Sequence, residues 1–253
     1  MLPRILRIGP FNIYSYGLLL FISFVVGIKL TAQRAKRFDV SEMFVTNLAL
    51  YVLLGAVVGS RLLYVFLHWD EFKNDLVGIF AFWRGGLGGL MFFGGLIGGL
   101  LLGIYYVKRN KLPLRKMLDA AIPALVFGEF LTRIGCFLNG CCFGKPTSLP
   151  WGMKFPSHSP AGFVFTERIH PTQLYSSLFG LFLFFFVLLL ERKRLKPGLL
   201  FALTLILYAS FRFLVDFVRY YENSANFLAN QILSIGLITL GLILFFYFGH
   251  PKQ

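Results

Sequence analysis

Two short stretches of the chain put charged and nucleophilic side chains where the surrounding residues are almost all apolar. RIGCFLNGCCFGKPT, residues 133–147, ends an apolar run with Arg133, Cys136, Asn139, Cys141, Cys142 and Gly144. In LYASFRFLVDFVRYYE, Tyr208, Arg212, Asp216 and Arg219 are spaced by 4, 4 and 3 and so share one helical stripe. Arg61, in GSRLLYV, is a third guanidinium within an apolar run and has no carboxylate in reach on its own helix. Arg212 can pair with Asp216, and Arg133 with Glu129 one turn earlier, so ion pairs that lock helices are one reading. An anion seat is the other, because three guanidiniums exceed two carboxylates. A phosphate suits such a seat, since the planar guanidinium fork gives it two parallel charge-assisted hydrogen bonds.

These residues need elements to hold them, and composition says what kind. The chain has 253 residues, of which 57% are hydrophobic and 18% aromatic, with a mean hydropathy of +0.72. One soluble domain cannot hide that much apolar surface. A bilayer core needs roughly 20 mostly apolar residues per spanning helix, and seven segments qualify: about 12–32, 44–67, 88–107, 117–137, 172–190, 198–217 and 230–249. The expected fold is all-α, a polytopic membrane protein of about seven transmembrane helices. Short connections argue for a single integral-membrane domain over 1–253. The first segment is longer than a signal-peptide core, lacks an Ala-x-Ala site and runs into RAKR, so it should stay attached.

Lys and Arg sort by loop. Three fall in 33–43, five in 108–116, four in 191–197 and one in the tail, against eight on the opposite side. The positive-inside rule then puts the N-terminus outside and the C-terminus in the cytoplasm. The net charge of +14 reports on this topology and on attraction to anionic membrane lipids. It lacks the arginine–aromatic interleaving of a nucleic-acid surface, and no nucleic-acid partner is expected.

On this topology the chemistry collects outside, at the outer end of the fourth span and in an external loop over about 138–171. Arginine within a span costs about 2.5–3.5 kcal/mol on insertion scales, so it faces the interior and holds a partner or an anion. His170, just before the fifth span, reads either as a hydrogen-bonded interface anchor or as a general base. Gly94 and Gly95, in a glycine-rich run whose Gly95, Gly99 and Gly103 repeat every four residues, suit close helix packing or the passage of a lipid chain. The thiols of Cys136, Cys141 and Cys142 have three readings. Their spacing is not that of a zinc motif, three is an odd number for disulfides, and a thiolate beside Arg133 is chemically sensible. Apolar packing is the default for cysteine.

IGPFNIYSYG, GSRLLYV, MFFGGLIGG, RIGCFLNGCCFG, HPTQLY and YASFRFLVDFVR follow one another along nearly the whole chain. In that order they resemble the bacterial prolipoprotein diacylglyceryl transferases. The resemblance implies a multi-pass enzyme of the bacterial inner membrane, active in lipoprotein biosynthesis. Such an enzyme moves the diacylglyceryl group of phosphatidylglycerol onto the thiol of the lipobox cysteine of a preprolipoprotein, forming a thioether and releasing glycerol phosphate. It implies catalytic or lipid-binding roles for Tyr16, Arg133, Asn139, Gly144, His170, Tyr208 and Arg212, with support from Arg61 and Arg219. Two positions depart from the pattern. Phe93 stands where well-known members carry histidine before GGLIG, and Cys136 and Cys141 replace an asparagine and a glutamate.

The chemistry of the residues agrees with that implication. Arginines hold the phosphodiester, displacement at a glycerol carbon builds charge on the leaving phosphate, and fixed cations stabilise it. His170 or water takes the thiol proton, and no metal or organic cofactor is expected. Two alternatives are a paralogous lipid-group transferase with another acceptor and a non-catalytic phospholipid-binding or transport protein. No inverted repeat favours transport.

Overall fold

The computed structural model describes residues 4–8, 11–73, 75–80, 89–193 and 195–250. Among these residues the chain opens with a two-stranded antiparallel hairpin, β1 (Arg4–Ile8) and β2 (Phe11–Tyr14). Nine helices follow: α1 (Ser15–Ala35), α2 (Glu42–Leu67), α3 (Trp69–Phe72), α4 (Phe92–Arg109), α5 (Leu114–Asn139), α6 (Pro160–Val164), α7 (Thr172–Glu191), α8 (Leu199–Val215) and α9 (Ser224–Gly249). The hairpin departs from the all-α expectation. Its strands are only five and four residues long, too short for an alternating pattern to stand out beside the apolar segment that follows.

Each apolar segment of the sequence centres on a helix, although the first begins in β2 and residue 88, which opens the third, lies outside the described residues. Five helices are long and apolar enough to cross a membrane, and α8 is a shorter apolar helix. The chain is a polytopic helical membrane protein. Large apolar side chains such as Phe66, Ile232 and Phe246 cover the outside of these helices, a surface that hydrocarbon solvates and water does not. Helix α9 starts six residues before its apolar stretch because Asn223 caps it, its side chain accepting from the Ala225 amide. A capped polar turn adds helix without adding hydropathy.

The chain divides into two compact units, residues 35–117 and residues 1–34 with 118–253. In the first, α2 and α4 pack backbone to backbone. A Cβ on Gly55 would strike the Gly98 carbonyl, and one on Gly59 the Gly94 carbonyl. This is the small-residue packing by which helices associate in lipid. Arg61, nearly buried, donates from Nε to Ile79 O at 2.9 Å, from one Nη to Gly78 O at 2.6 Å and from the other to Gly89 O at 3.1 Å. Its guanidinium also lies over the rings of Phe72 and Tyr64. It ties the segments after α2 to that helix.

In the second unit Ile122, Val126, Leu183, Val187 and Leu200 form a core between α5, α7 and α8, and Phe179 stacks on Phe211 at 4.0 Å. Asp119 of α5 accepts from the amides of Gly198 and Phe201. It thereby supplies the first turn of α8 with the cap that Gly198 lacks. A smaller cluster of Phe143, Phe155, Ala161 and Ile169 supports the loop between α5 and α7.

Candidate active site

The C-terminal end of α5 explains how the thiols meet. Gly140, at φ 74°, takes the left-handed conformation that ends the helix. The Gly140 amide then donates to Phe137 O and the Cys141 amide to Cys136 O, both at 3.1 Å, the paired bonds of a Schellman motif. That motif brings Cys141 back beside Cys136. Cys142 follows at φ 60°, unusual for a residue with a side chain, and turns the chain again. The first residues of α7 hold this reversal, because Thr172 Oγ1 donates to Cys142 O at 2.8 Å and Gln173 Nε2 to Cys141 O at 2.7 Å. All three sulfurs lie within 4.8 Å of one another, and none is in a disulfide.

Arg133 stands one turn before Cys136, its Nε donating to Glu129 Oε1 at 2.7 Å. Tyr208 of α8 donates its hydroxyl to the same carboxylate oxygen at 3.2 Å. Tyr208 is also within electrostatic reach of both Arg133 and Arg212. Arg212 pairs through one Nη with Asp216 Oδ1 at 2.8 Å, and Tyr221 donates to that oxygen at 2.8 Å. Asp216 is fully buried and its Oδ2 has no partner among the described residues. Two guanidiniums are thus oriented by carboxylates through one donor each, and their remaining donors suit a phosphate fork. Tyr16 of α1 packs against Gly135 and lies in the field of Arg133 and the three thiols.

The helical stripe read from the sequence ends earlier than its spacing suggested. α8 stops at Val215 with Asp216 as its C-cap, and Arg219 sits on an extended segment bridged to Gly144. The cause is pairing with the loop, where the Lys145 amide donates to Val218 O and the Tyr220 amide to Phe143 O. Arg219 still joins the site, since its charge reaches Cys142, and its buried Nε has no partner among the described residues. The Cys142 thiol is held below the ordinary thiol range. Hydrogen bonds from the Cys136 and Cys141 thiols contribute most, and the charges of Arg219 and Arg133 add to them against the effect of burial.

Gly144 is enclosed. An added Cβ would lie 2.5 Å from His170 Cβ, 2.6 Å from His170 O and 2.8 Å from Val218 O. Gly144→Ala should therefore force these strands apart and cost about 1–3 kcal/mol, read as a lower Tm of the detergent-solubilised protein. The His170 ring meets the Tyr175 hydroxyl through Nδ1 at 3.2 Å, and Trp151 Nε1 donates to that hydroxyl at 2.9 Å. Burial lowers the His170 pKa. No contact among the described residues joins the His170 ring to Arg133 or Arg212. Asn139 is the last residue of α5 and interacts with the Cys141 thiol.

Arg61, Phe93, Gly94 and Gly95 belong to the other unit. Gly94 and Gly95 face α2, where a Cβ on Gly94 would strike Gly59 O and one on Gly95 would lie 3.1 Å from Ala56 O. That face is filled by helix packing. Helical spacing in the sequence does not point to Tyr221, Tyr175, Thr172 or Gln173. The first two lie five residues from the groups they hold and can be found locally, whereas the last two reach across some 30 residues.

Residues 3–247 match the family model described as prolipoprotein diacylglyceryl transferase. A protein of Trichormus variabilis named phosphatidylglycerol–prolipoprotein diacylglyceryl transferase is 33% identical over 248 residues, covering 95% of this chain and 87% of that protein. A protein of the same name from Clostridium tetani is 33% identical over 247 residues, covering 97% of each.

Proposed function

The chain belongs to the prolipoprotein diacylglyceryl transferase family, and on that premise we propose which of its residues carry the family's reaction. The protein is a membrane transferase that moves the diacylglyceryl group of phosphatidylglycerol to the lipobox cysteine of a prolipoprotein, the first step of lipoprotein maturation. Arg133 and Arg212 grip the phosphodiester of the donor lipid. The acceptor thiol, as thiolate, attacks the glycerol carbon, the C–O bond to phosphate breaks, and glycerol phosphate leaves with the electron pair. The oriented guanidiniums stabilise the charge that develops on the leaving phosphate, the kind of preorganised electrostatics that contributes most in enzymes.

The observation that carries this reading is the shared Glu129 carboxylate, which fixes Arg133 and Tyr208 beside one another while Asp216 fixes Arg212. Tyr16, Asn139 and Gly144 shape the site, and Arg219 supports it. The test is direct: purified protein with labelled phosphatidylglycerol and a lipobox peptide should place label on the peptide cysteine and none on a serine version. Label left wholly on the lipid sinks the assignment.

His170 takes the acceptor's proton in this scheme. Because its pKa is lowered, it is neutral at neutral pH, and activity should hold as pH falls through the ordinary histidine range and drop only below it. His170→Gln should abolish that acid limb in a pH–rate profile. An unchanged limb would assign it to another group.

The seven apolar helices α1, α2, α4, α5, α7, α8 and α9 all cross the inner membrane as one domain, with the N-terminus outside and the C-terminus in the cytoplasm. The counts of Lys and Arg in the short loops support this orientation. A reporter inserted within 108–116 should read as cytoplasmic, and one within 145–168 as external; the reverse pattern would move every site residue to the wrong face.

A further inference from the structure

We propose that Cys136, Cys141 and Cys142 form a three-thiolate site for a zinc-class divalent ion, with an open fourth position that takes the thiol of the acceptor. This rests on the transfer reaction proposed above and supplies its thiol activation. Three sulfurs within 4.8 Å of one another lie close to the spacing of a tetrahedral site. Bonds of about 2.3 Å to zinc imply sulfurs about 3.8 Å apart, a closure of about 1 Å that side-chain rotation can supply. The cluster is also built rather than casual. The Schellman turn sets Cys141 over Cys136, Cys142 holds a left-handed backbone, and Thr172 and Gln173 clamp both loop carbonyls. Three apolar packing residues need none of these fixtures.

Charge selects the ion. Three thiolates around a divalent ion carry −1, which the Arg219 cation beside Cys142 balances, and the buried Nε of Arg219 has no partner among the described residues. A monovalent soft ion would leave −2 there and prefers closed trigonal sulfur coordination. Thiolates select soft and borderline metals over magnesium or calcium.

Three protein ligands with an open fourth position is the catalytic pattern for zinc, and a metal-bound thiol is deprotonated. The acceptor's S–H proton leaves to His170 or water as its sulfur coordinates. That sulfur then forms the C–S bond while the C–O bond to phosphate breaks, and the neutral thioether leaves the ion as a weaker ligand. No oxidant or reductant takes part.

The experiment uses the full chain in detergent, reduced, stripped of metal and titrated with Co2+ as a coloured stand-in for Zn2+. One equivalent should give a thiolate-to-metal charge-transfer band and intense tetrahedral d–d bands, displaced by Zn2+. The variant C136S/C141S/C142S, checked for an unchanged helical signal, should show neither. A lipobox peptide should shift the d–d bands and its serine version should not. Metal removal should lower lipid transfer on the order of 100-fold, the contribution of removing a thiol proton, and Zn2+ should restore it. The proposal is overturned by failure of the reduced wild type to bind Co2+, by equal binding to the triple serine variant, or by full transfer from metal-free protein. A closed trigonal Cu+ complex that resists Co2+ and ignores the peptide would also overturn it. Stoichiometric binding with a peptide-dependent shift, but no transfer in any metal state, would uphold the site and reject the transferase assignment instead.

Discussion

Replacing Arg212 with lysine should leave a folded, inserted protein that transfers lipid on the order of 100-fold more slowly, the scale of losing one preorganised donor at a developing oxyanion. Lysine keeps the charge that Asp216 needs but not the planar fork, so it separates recognition from stability. Arg212→Ala is a harsher change. Asp216 is fully buried, with Arg212 and Tyr221 on one of its oxygens, and removing the guanidinium leaves an uncompensated charge that costs about 3–5 kcal/mol. R212A/D216N should regain much of that stability and none of the activity. A double variant that transfers lipid normally would reduce Arg212 to a packing residue. Thermal unfolding in detergent and the labelled-lipid assay together decide the matter.

Arg133→Ala should be equally silent in the assay, and its partner gives the sharper result. Glu129→Gln keeps the guanidinium but weakens the bond at 2.7 Å that aims it and the link at 3.2 Å to Tyr208. The expected loss is intermediate, roughly 10-fold to 100-fold, since about 1 Å of misplacement carries that penalty. It should appear more in kcat than in KM if the aim matters chiefly as charge develops. Tyr208→Phe removes only the hydroxyl, so a loss smaller than that of Glu129→Gln is expected. Full activity in Glu129→Gln would show that Arg133 needs no orienting partner.

The parts of the site that the sequence disclosed are those held by local geometry. Glu129 with Arg133, and Arg212 with Asp216, are one helical turn apart, and a helix brings such residues together wherever it forms. The five helices long and apolar enough to cross a membrane were equally legible, because spanning length is a property of composition. Arg219 was misplaced on the α8 stripe because pairing of Val218 and Tyr220 with residues 143–145 pulls the backbone out of the helix. Tertiary hydrogen bonds of that kind leave no periodic signal. The thiol cluster was hidden for a related reason. Spacing rules for metal motifs assume short turns of known form, whereas here the sulfurs converge through Gly140 and a positive φ at Cys142. Thr172 and Gln173 then fix that turn from the far end of a long loop.

The glycine contact between α2 and α4 also constrains how a lipid travels. With the backbones touching at Gly55 and Gly98 and at Gly59 and Gly94, the seam has no width for a hydrocarbon tail, and side chains cannot swing aside because none are there. Over those two turns the pair acts as a single wall to diffusion in the plane of the bilayer. A two-tailed donor must therefore enter by some route other than this seam, and the lipidated acceptor, which keeps both tails, cannot leave through it either.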